Sequence, residues 1–144
     1  MIITLPGNDA DGEVIGFSQP SSPSHGTLTG FAGQIVGQVL NPAQALTDQF
    51  GSAVAVGTGV YVIGAPGDES GGVAGAGAAY VYDQVTGALL FTLANPALSS
   101  GDQFGASVAV AGNMIAVGAP LADPGGVSDA GAVYLFDRST GTLV

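Results

Sequence analysis

The stretch that decides the fold is Asp48-Gln49-Phe50-Gly51, because it recurs unchanged as Asp102-Gln103-Phe104-Gly105. The offset between the two copies is 54 residues, from position 48 to position 102, and the residues after each copy align without a gap. A period of this length is typical of propeller blades or solenoid turns. Two tripeptides recur at the same offset: Gly64-Ala65-Pro66 as Gly118-Ala119-Pro120, and Asn41-Pro42-Ala43 as Asn95-Pro96-Ala97.

Each repeat divides into four short strands separated by turn residues. Gly57-Thr58-Gly59 is a tight-turn signal, and Pro66 ends a strand because proline cannot donate to a sheet ladder. Asp83 and Asp137 are expected to accept backbone bonds at the start of a hairpin, with Gly87 in the left-handed conformation. Four antiparallel strands per repeat is typical of a propeller blade. In the first repeat we expect strands over residues 52–56, 60–63, 78–82 and 88–93.

The composition favours an all-β protein and limits its partners. The chain has 25 Gly, no Trp and only 8% charged residues, and small residues at this density suit thin sheets and tight turns. With a formal net charge of −10 and Arg138 as the only Lys or Arg, nucleic-acid binding is excluded. Membrane insertion is not expected, because no apolar run approaches about 18 residues. We see no signal peptide at Met1, and there is no cysteine.

The repeated motifs resemble the FG-GAP repeat of integrin-α-like β-propellers, in its bacterial form. The resemblance implies four-stranded antiparallel blades, with an incomplete propeller in one chain. It also implies an extracellular, secreted or cell-surface protein that takes part in adhesion or ligand binding. We expect the motif residues to be architectural, since glycine permits close backbone approach and the Phe plugs the gap between blades. These residues are Phe50, Gly51, Gly64, Ala65, Pro66, Phe104, Gly105, Gly118, Ala119 and Pro120.

The N-terminal part of the chain has a different pattern. Residues 7–12 and 23–30 are similar to bacterial cadherin-like or immunoglobulin-like modules, so we expect a partial β segment of that kind over residues 1–31. The FG-GAP repeats then cover residues 32–144. Within that range we expect the fourth strand of a preceding blade at 33–40, a full blade at 48–94 and a second blade at 102–144.

Calcium is the one cofactor that the resemblance suggests, and its usual site does not carry over. Integrin-type blades bind calcium through closely spaced carboxylates in the first hairpin, but Gly57-Thr58-Gly59 and Ala111-Gly112-Asn113 contain none. Other carboxylates lie in loops or turns, where the alternatives to metal binding are a solvated acidic loop or an Asx-type turn. The candidate metal ligands are Asp9, Asp11, Asp68, Glu69, Asp123 and Asp129.

The sequence therefore predicts a binding or adhesion module rather than an enzyme. His25 is the only histidine, and the chain has no lysine or cysteine nucleophile, so no catalytic group is assigned. The expected partners are a protein or glycan ligand, or copies of the chain itself, with loops 67–77 and 121–131 as the binding surface. The chain would then be a fragment of a larger protein or a homo-oligomer. Two alternatives stay open: a structural repeat that assembles head to tail, and the non-catalytic propeller portion of a secreted hydrolase or lyase.

Overall fold

The strands of the structure follow the 54-residue repeat. The computed structural model describes residues 38–144, and no α-helix forms within them. Two short 3-10 turns, Ser70–Gly72 and Pro124–Gly126, interrupt the long Gly-rich loops. The strands are β1 (Ala53–Gly57), β2 (Val60–Ala65), β3 (Ala78–Asp83), β4 (Leu89–Ala94), β5 (Ser107–Ala111), β6 (Met114–Ala119) and β7 (Ala132–Asp137).

The seven strands form two antiparallel sheets whose order follows the chain. The first sheet is β1-β2-β3-β4 and the second is β5-β6-β7. The fourth strand of the second sheet has begun, because Leu143 bridges Phe136 and the Val144 N–H donates to the Leu135 carbonyl at 2.9 Å. The expected four-stranded blade architecture is confirmed, with predicted strand ends displaced by one or two residues. We call residues 48–94 the first blade and residues 102–144 the second blade.

The hairpins close as the sequence predicts. Asp83 Oδ1 accepts the backbone N–H groups of Val85 and Thr86 at 2.9 and 2.7 Å. In the second blade, Asp137 Oδ1 likewise accepts the backbone N–H groups of Ser139 and Thr140. These bonds stabilise the ionised carboxylate. In Asp83 the backbone and side-chain bonds from Thr86 lower the pKa, and in Asp137 the bonds from Ser139 lower it.

The core lies between the two blades, which pack face to face. Because side chains alternate along a strand, Val62 and Val81 of the first sheet point toward Ile115 and Val117 of the second. All four are fully buried. Arg138 adds a polar link between the blades, since its guanidinium donates to the Thr58 carbonyl in the β1–β2 turn. Two blades do not close a propeller, which takes about four or more.

Several expectations concern the start of the chain. Leu40–Val144 forms one compact unit, and both blades belong to it. Residues 38–40, the end of the expected strand at 33–40, lie outside the strands. The rest of that strand, the cadherin-like segment and the carboxylates Asp9 and Asp11 lie outside the described residues. Across residues 38–144 no helix has the length and apolar character needed to cross a membrane.

Candidate functional site

The joint between the blades is built around Phe104, which is fully buried. Its ring packs against Tyr134 and Phe136 of its own blade, with centroid distances of 5.7 and 5.9 Å. Its backbone N–H donates to the Ala76 carbonyl of the first blade at 3.1 Å, and Phe104 forms a parallel bridge with Gly77. Phe104 therefore joins the first blade through its backbone, while its ring packs within the second blade.

The Gly-Ala-Pro motif of the first blade receives this segment, and two glycines make the approach possible. A Cβ on Gly64 would lie 1.9 Å from the Gly105 carbonyl oxygen, and a Cβ on Gly77 would lie 2.0 Å from the Phe104 carbonyl oxygen. Any side chain at either position would therefore collide with backbone that cannot rotate away. We call Gly64-Ala65-Pro66 together with Ala76-Gly77 the Phe-Gly seat of the first blade.

An Asn–Asp pair secures the segment that enters each blade, and the pair at the second blade is buried. Asn95 Nδ2 donates to Asp102 Oδ2 at 2.7 Å and to the Ala76 carbonyl at 3.3 Å, so one amide ties the linker to both blades. The equivalent Asn41 donates to Asp48 at 2.5 Å. Asn95 and Asp102 are each only 1% exposed. A buried carboxylate is tolerated because this amide satisfies it.

The 54-residue repeat, the Phe-Gly seat and the buried Phe104 point to one family. Comparison with family models gives the same result. The model described as the FG-GAP repeat matches residues 43–82 and 95–136, together more than half of the chain. The chain belongs to the FG-GAP repeat family. No curated protein matches it. Each matched range lies largely within one of the two blades that the sequence predicted and that the structure contains.

The two long loops of the FG-GAP blades have different surroundings. In loop 67–77, the carbonyls of Ala74 and Gly75 accept the N–H groups of Gly101 and Gln103, each at 3.1 Å. That loop is therefore fixed by the linker and by the second blade. In loop 121–131 almost every residue is exposed, and only its ends pack on the blade. Of the two predicted binding loops, loop 121–131 presents more of its residues to solvent.

The four predicted metal ligands within residues 38–144 do not form a cluster of three or more. Asp68 is buried, and its Oδ2 accepts the Tyr80 hydroxyl at 2.6 Å, whereas Glu69 beside it is exposed. Asp123 and Asp129 are both exposed, and Asp123 Oδ1 accepts the Asp129 N–H at 2.7 Å. Among residues 38–144 no group of three or more His, Cys, Asp or Glu side chains is arranged to hold a metal. Metal binding by these carboxylates stays a prediction.

Asp68 instead forms a buried polar pair with Tyr80 within the first blade. Burial, the hydrogen bond to Asp68 and the negative charges of Asp68 and Asp48 raise the pKa of Tyr80 well above its usual range. The phenol therefore stays protonated and donates to the carboxylate. In the second blade the position of Asp68 is taken by Ala122, which is buried, and Tyr134 has no such partner in the described structure. This arrangement indicates a structural role for Asp68.

The β1–β2 and β5–β6 hairpins do not fit a calcium ion. The Gly59 N–H donates to Gln84 Oε1 at 3.1 Å, and the Thr58 carbonyl accepts from Arg138. In the second blade, Asn113 Nδ2 donates to Asp137 Oδ2 at 2.6 Å. Each turn is closed by protein groups, and neither contains the several carboxylates that calcium requires.

Proposed function

We propose that the chain forms part of an extracellular recognition module that binds a protein or glycan ligand and catalyses no reaction. The observation that carries the proposal is loop 121–131, an exposed Gly-rich loop on a rigid pair of blades. Recognition residues are commonly presented in this way, on loops positioned by a fixed scaffold. FG-GAP repeats are commonly found in extracellular ligand-binding propellers, which supports the same conclusion.

The chemistry of the loop favours a polar ligand. Asp123 and Asp129 place two carboxylates on its surface, and Val127 adds an apolar side chain that is 62% exposed. The 3-10 turn Pro124–Gly126 and the bond from the Asp129 N–H to Asp123 keep the loop in one shape. A preorganised loop loses less conformational entropy on binding than a flexible one. Sugar hydroxyls and basic or amide groups of a protein are suitable partners for these carboxylates.

The proposal includes a dependence of ligand binding on calcium. Two carboxylates supply only some of the six to eight oxygen ligands of calcium, so loop carbonyls or ligand oxygens would have to complete the set. We therefore expect calcium to bind weakly, with a Kd on the order of 0.1–1 mM, as in other extracellular modules. A melting temperature that does not change across that range of calcium concentration would remove the cation from the proposal.

Glycan and matrix-protein arrays probed with the purified chain test the recognition role. Asp123→Asn keeps an oxygen that can accept the Asp129 N–H, and Asp129→Asn keeps a residue type that tolerates its positive φ of 53°. Both changes remove charge while preserving the shape of the loop. We expect each to weaken binding of any ligand that the array reveals.

Glu69→Gln is the matched control, because Glu69 is exposed and holds the position equivalent to Asp123 in the first blade. We expect it to leave binding unchanged. Equal binding by all three variants and the unmodified chain would refute recognition through loop 121–131.

A further inference from the structure

The first blade buries two carboxylates close together. Asp48 is 4% exposed and Asp68 is 7% exposed. The Gly67 N–H donates to the Asp48 carbonyl at 3.1 Å, so the backbone of Asp48 lies directly against the residue that precedes Asp68. Burial, the hydrogen bond to Asp68 and the negative charges of Asp68 and Asp48 together raise the pKa of Tyr80. Both carboxylates therefore act on the same phenol.

One oxygen of this pair has no hydrogen-bond partner. Asp48 Oδ2 accepts Asn41 Nδ2 at 2.5 Å and the Ala45 N–H at 2.8 Å. Asp68 Oδ2 accepts the Tyr80 hydroxyl at 2.6 Å. Asp48 Oδ1, by contrast, is buried and receives no hydrogen bond from residues 38–144. A buried polar atom of this kind is costly, and a bound ion or water usually accounts for it.

No basic side chain within residues 38–144 neutralises the two carboxylates. Arg138 is the only Lys or Arg in the chain. Its guanidinium donates to the Thr58 carbonyl in the β1–β2 turn, at the opposite end of β2 from Asp68. Buried charges in proteins are paired or coordinate a metal ion. For this part of the chain the counter-ion would therefore be a cation taken from solution.

The second blade shows that the fold does not require the second carboxylate. Asp102, the counterpart of Asp48, is buried and accepts Asn95 Nδ2 at 2.7 Å. The counterpart of Asp68 is Ala122, which packs into the hydrophobic core. An alanine therefore serves at this position of the blade. A buried carboxylate at the same position of the first blade points to a further role, because its burial costs free energy.

The backbone beside Asp48 is also strained. Thr47 has a φ of 74°, which is rare for a β-branched residue, whereas the repeat has Gly101 at the equivalent position with a φ of 83°. Strain of this kind persists only where surrounding contacts hold it in place, and it is common at ligand sites. A cation bound to Asp48 would supply one such contact.

We infer that Asp48 and Asp68 of the first blade together bind one sodium ion, through the Asp48 oxygen that has no partner. Hydrogen bonds to Asp48 Oδ2 and Asp68 Oδ2 already offset part of the negative charge, so a monovalent cation is sufficient. Calcium needs six to eight oxygen ligands and magnesium retains several waters. This pair is buried, and no third His, Cys, Asp or Glu of residues 38–144 completes a metal-binding group with it. The inference does not rest on ligand recognition by loop 121–131.

Thermal unfolding in sodium chloride and in tetramethylammonium chloride, at equal concentrations, tests this site. Both salts screen surface charge to the same extent, but tetramethylammonium is too large to enter an enclosed pair of carboxylates. A ligand that binds only the folded state raises the Tm as its concentration rises. We expect the Tm in sodium chloride to be higher by about 5 °C once sodium exceeds its Kd about tenfold.

Asp68→Asn is the test variant, because it removes the charge and keeps an oxygen that can accept the Tyr80 hydroxyl. We expect it to abolish the difference in Tm between the two salts. Glu69→Gln is the matched control, since it removes one charge from the adjacent, exposed position and should leave that difference unchanged. Sodium NMR on the unmodified chain measures binding without any substitution. The sodium line should broaden with the folded chain and sharpen when urea unfolds it.

Equal Tm values in the two salts up to about 1 M would overturn the inference, because a buried water or a shared proton would then account for the Asp48 oxygen. The inference is also overturned if the difference persists in Asp68→Asn, or if Glu69→Gln abolishes it equally. If Asp68→Asn does not fold, sodium NMR decides, and a line that is equally broad with the folded and the unfolded chain overturns the inference.

Discussion

Replacing the buried phenylalanine of the interblade joint should separate its role from that of its half-buried counterpart. Phe104 is fully buried; its ring packs on Tyr134 and Phe136 of its own blade, and its backbone N–H donates to Ala76 of the other blade. A buried phenylalanine removes on the order of 150–200 Å² from water, which at about 25 cal/mol per Å² is worth about 4 kcal/mol. We therefore expect Phe104→Ala to lower the free energy of unfolding by about 4 kcal/mol, within the usual range for this substitution.

Phe50→Ala is the matched comparison, since Phe50 has the same motif and packs on its own tyrosine but is only half-buried. Here we expect a loss of about 2 kcal/mol, because roughly half as much apolar surface is removed from water. Both should be measured at the same chain concentration, because any association between copies would add to the apparent stability.

Urea unfolding followed by circular dichroism measures both losses. The midpoint should fall while the slope with urea stays constant, since the same surface is exposed on unfolding. In thermal unfolding, Phe104→Ala should lower the Tm by about 15 °C or more for a unit of this size. Equal losses at the two positions would refute the argument, because it attributes the difference to burial of Phe104 in the seat of the first blade.

Three further predictions concern the seat, the hairpins and the recognition loop. Gly64→Ala should cost at least about 2 kcal/mol in urea unfolding, because its Cβ meets the Gly105 carbonyl; Gly118→Ala should cost less, since its Cβ meets only the Ser107 hydroxyl, which can rotate. The lowered pKa values of Asp83 and Asp137 stabilise the fold above the unfolded pKa of about 3.9, so the urea midpoint should fall as the pH drops through the lower folded values. Replacing both with Asn should flatten that pH dependence, and an unchanged slope would contradict it. Calcium at millimolar concentration should raise the Tm of the unmodified chain but not of Asp123→Asn, and an equal rise in both would place the ion elsewhere.

The repeat allowed most of the fold to be predicted from the sequence. Strand positions, the hairpin role of Asp83 and the burial of Phe104 follow from local turn chemistry and from a motif that occurs twice. The positions at which Pro66 and Gly57 end their strands were also predictable, because proline and glycine restrict or free the backbone in known ways. These features depend on residues close in sequence, which is why a single chain reveals them.

Contacts between the repeats were harder to predict. The role of Asn95 was missed, although its Asn-Pro-Ala motif recurs and so carried a signal that it does more than begin a linker. The inward orientation of Asp68 had no such signal, because its counterpart is Ala122. Loop 67–77 was predicted to present a binding surface, and its bonds to Gly101 and Gln103 were not predicted. Each of these contacts joins residues of the linker or of different blades, which strand patterns do not encode.

The amide of Asn95 has a consequence for how such proteins lengthen. It donates to the Ala76 carbonyl, which precedes it in the chain, and to the Asp102 carboxylate, which follows it. Both hydrogen bonds lie within a stretch of sequence shorter than one period. A gene segment of 54 codons that is copied in tandem therefore encodes a sheet together with the Asn and Asp residues that hold it to its neighbour. Neither neighbour has to change before the added repeat is held in place, so chains of this design can gain or lose whole repeats in single genetic steps.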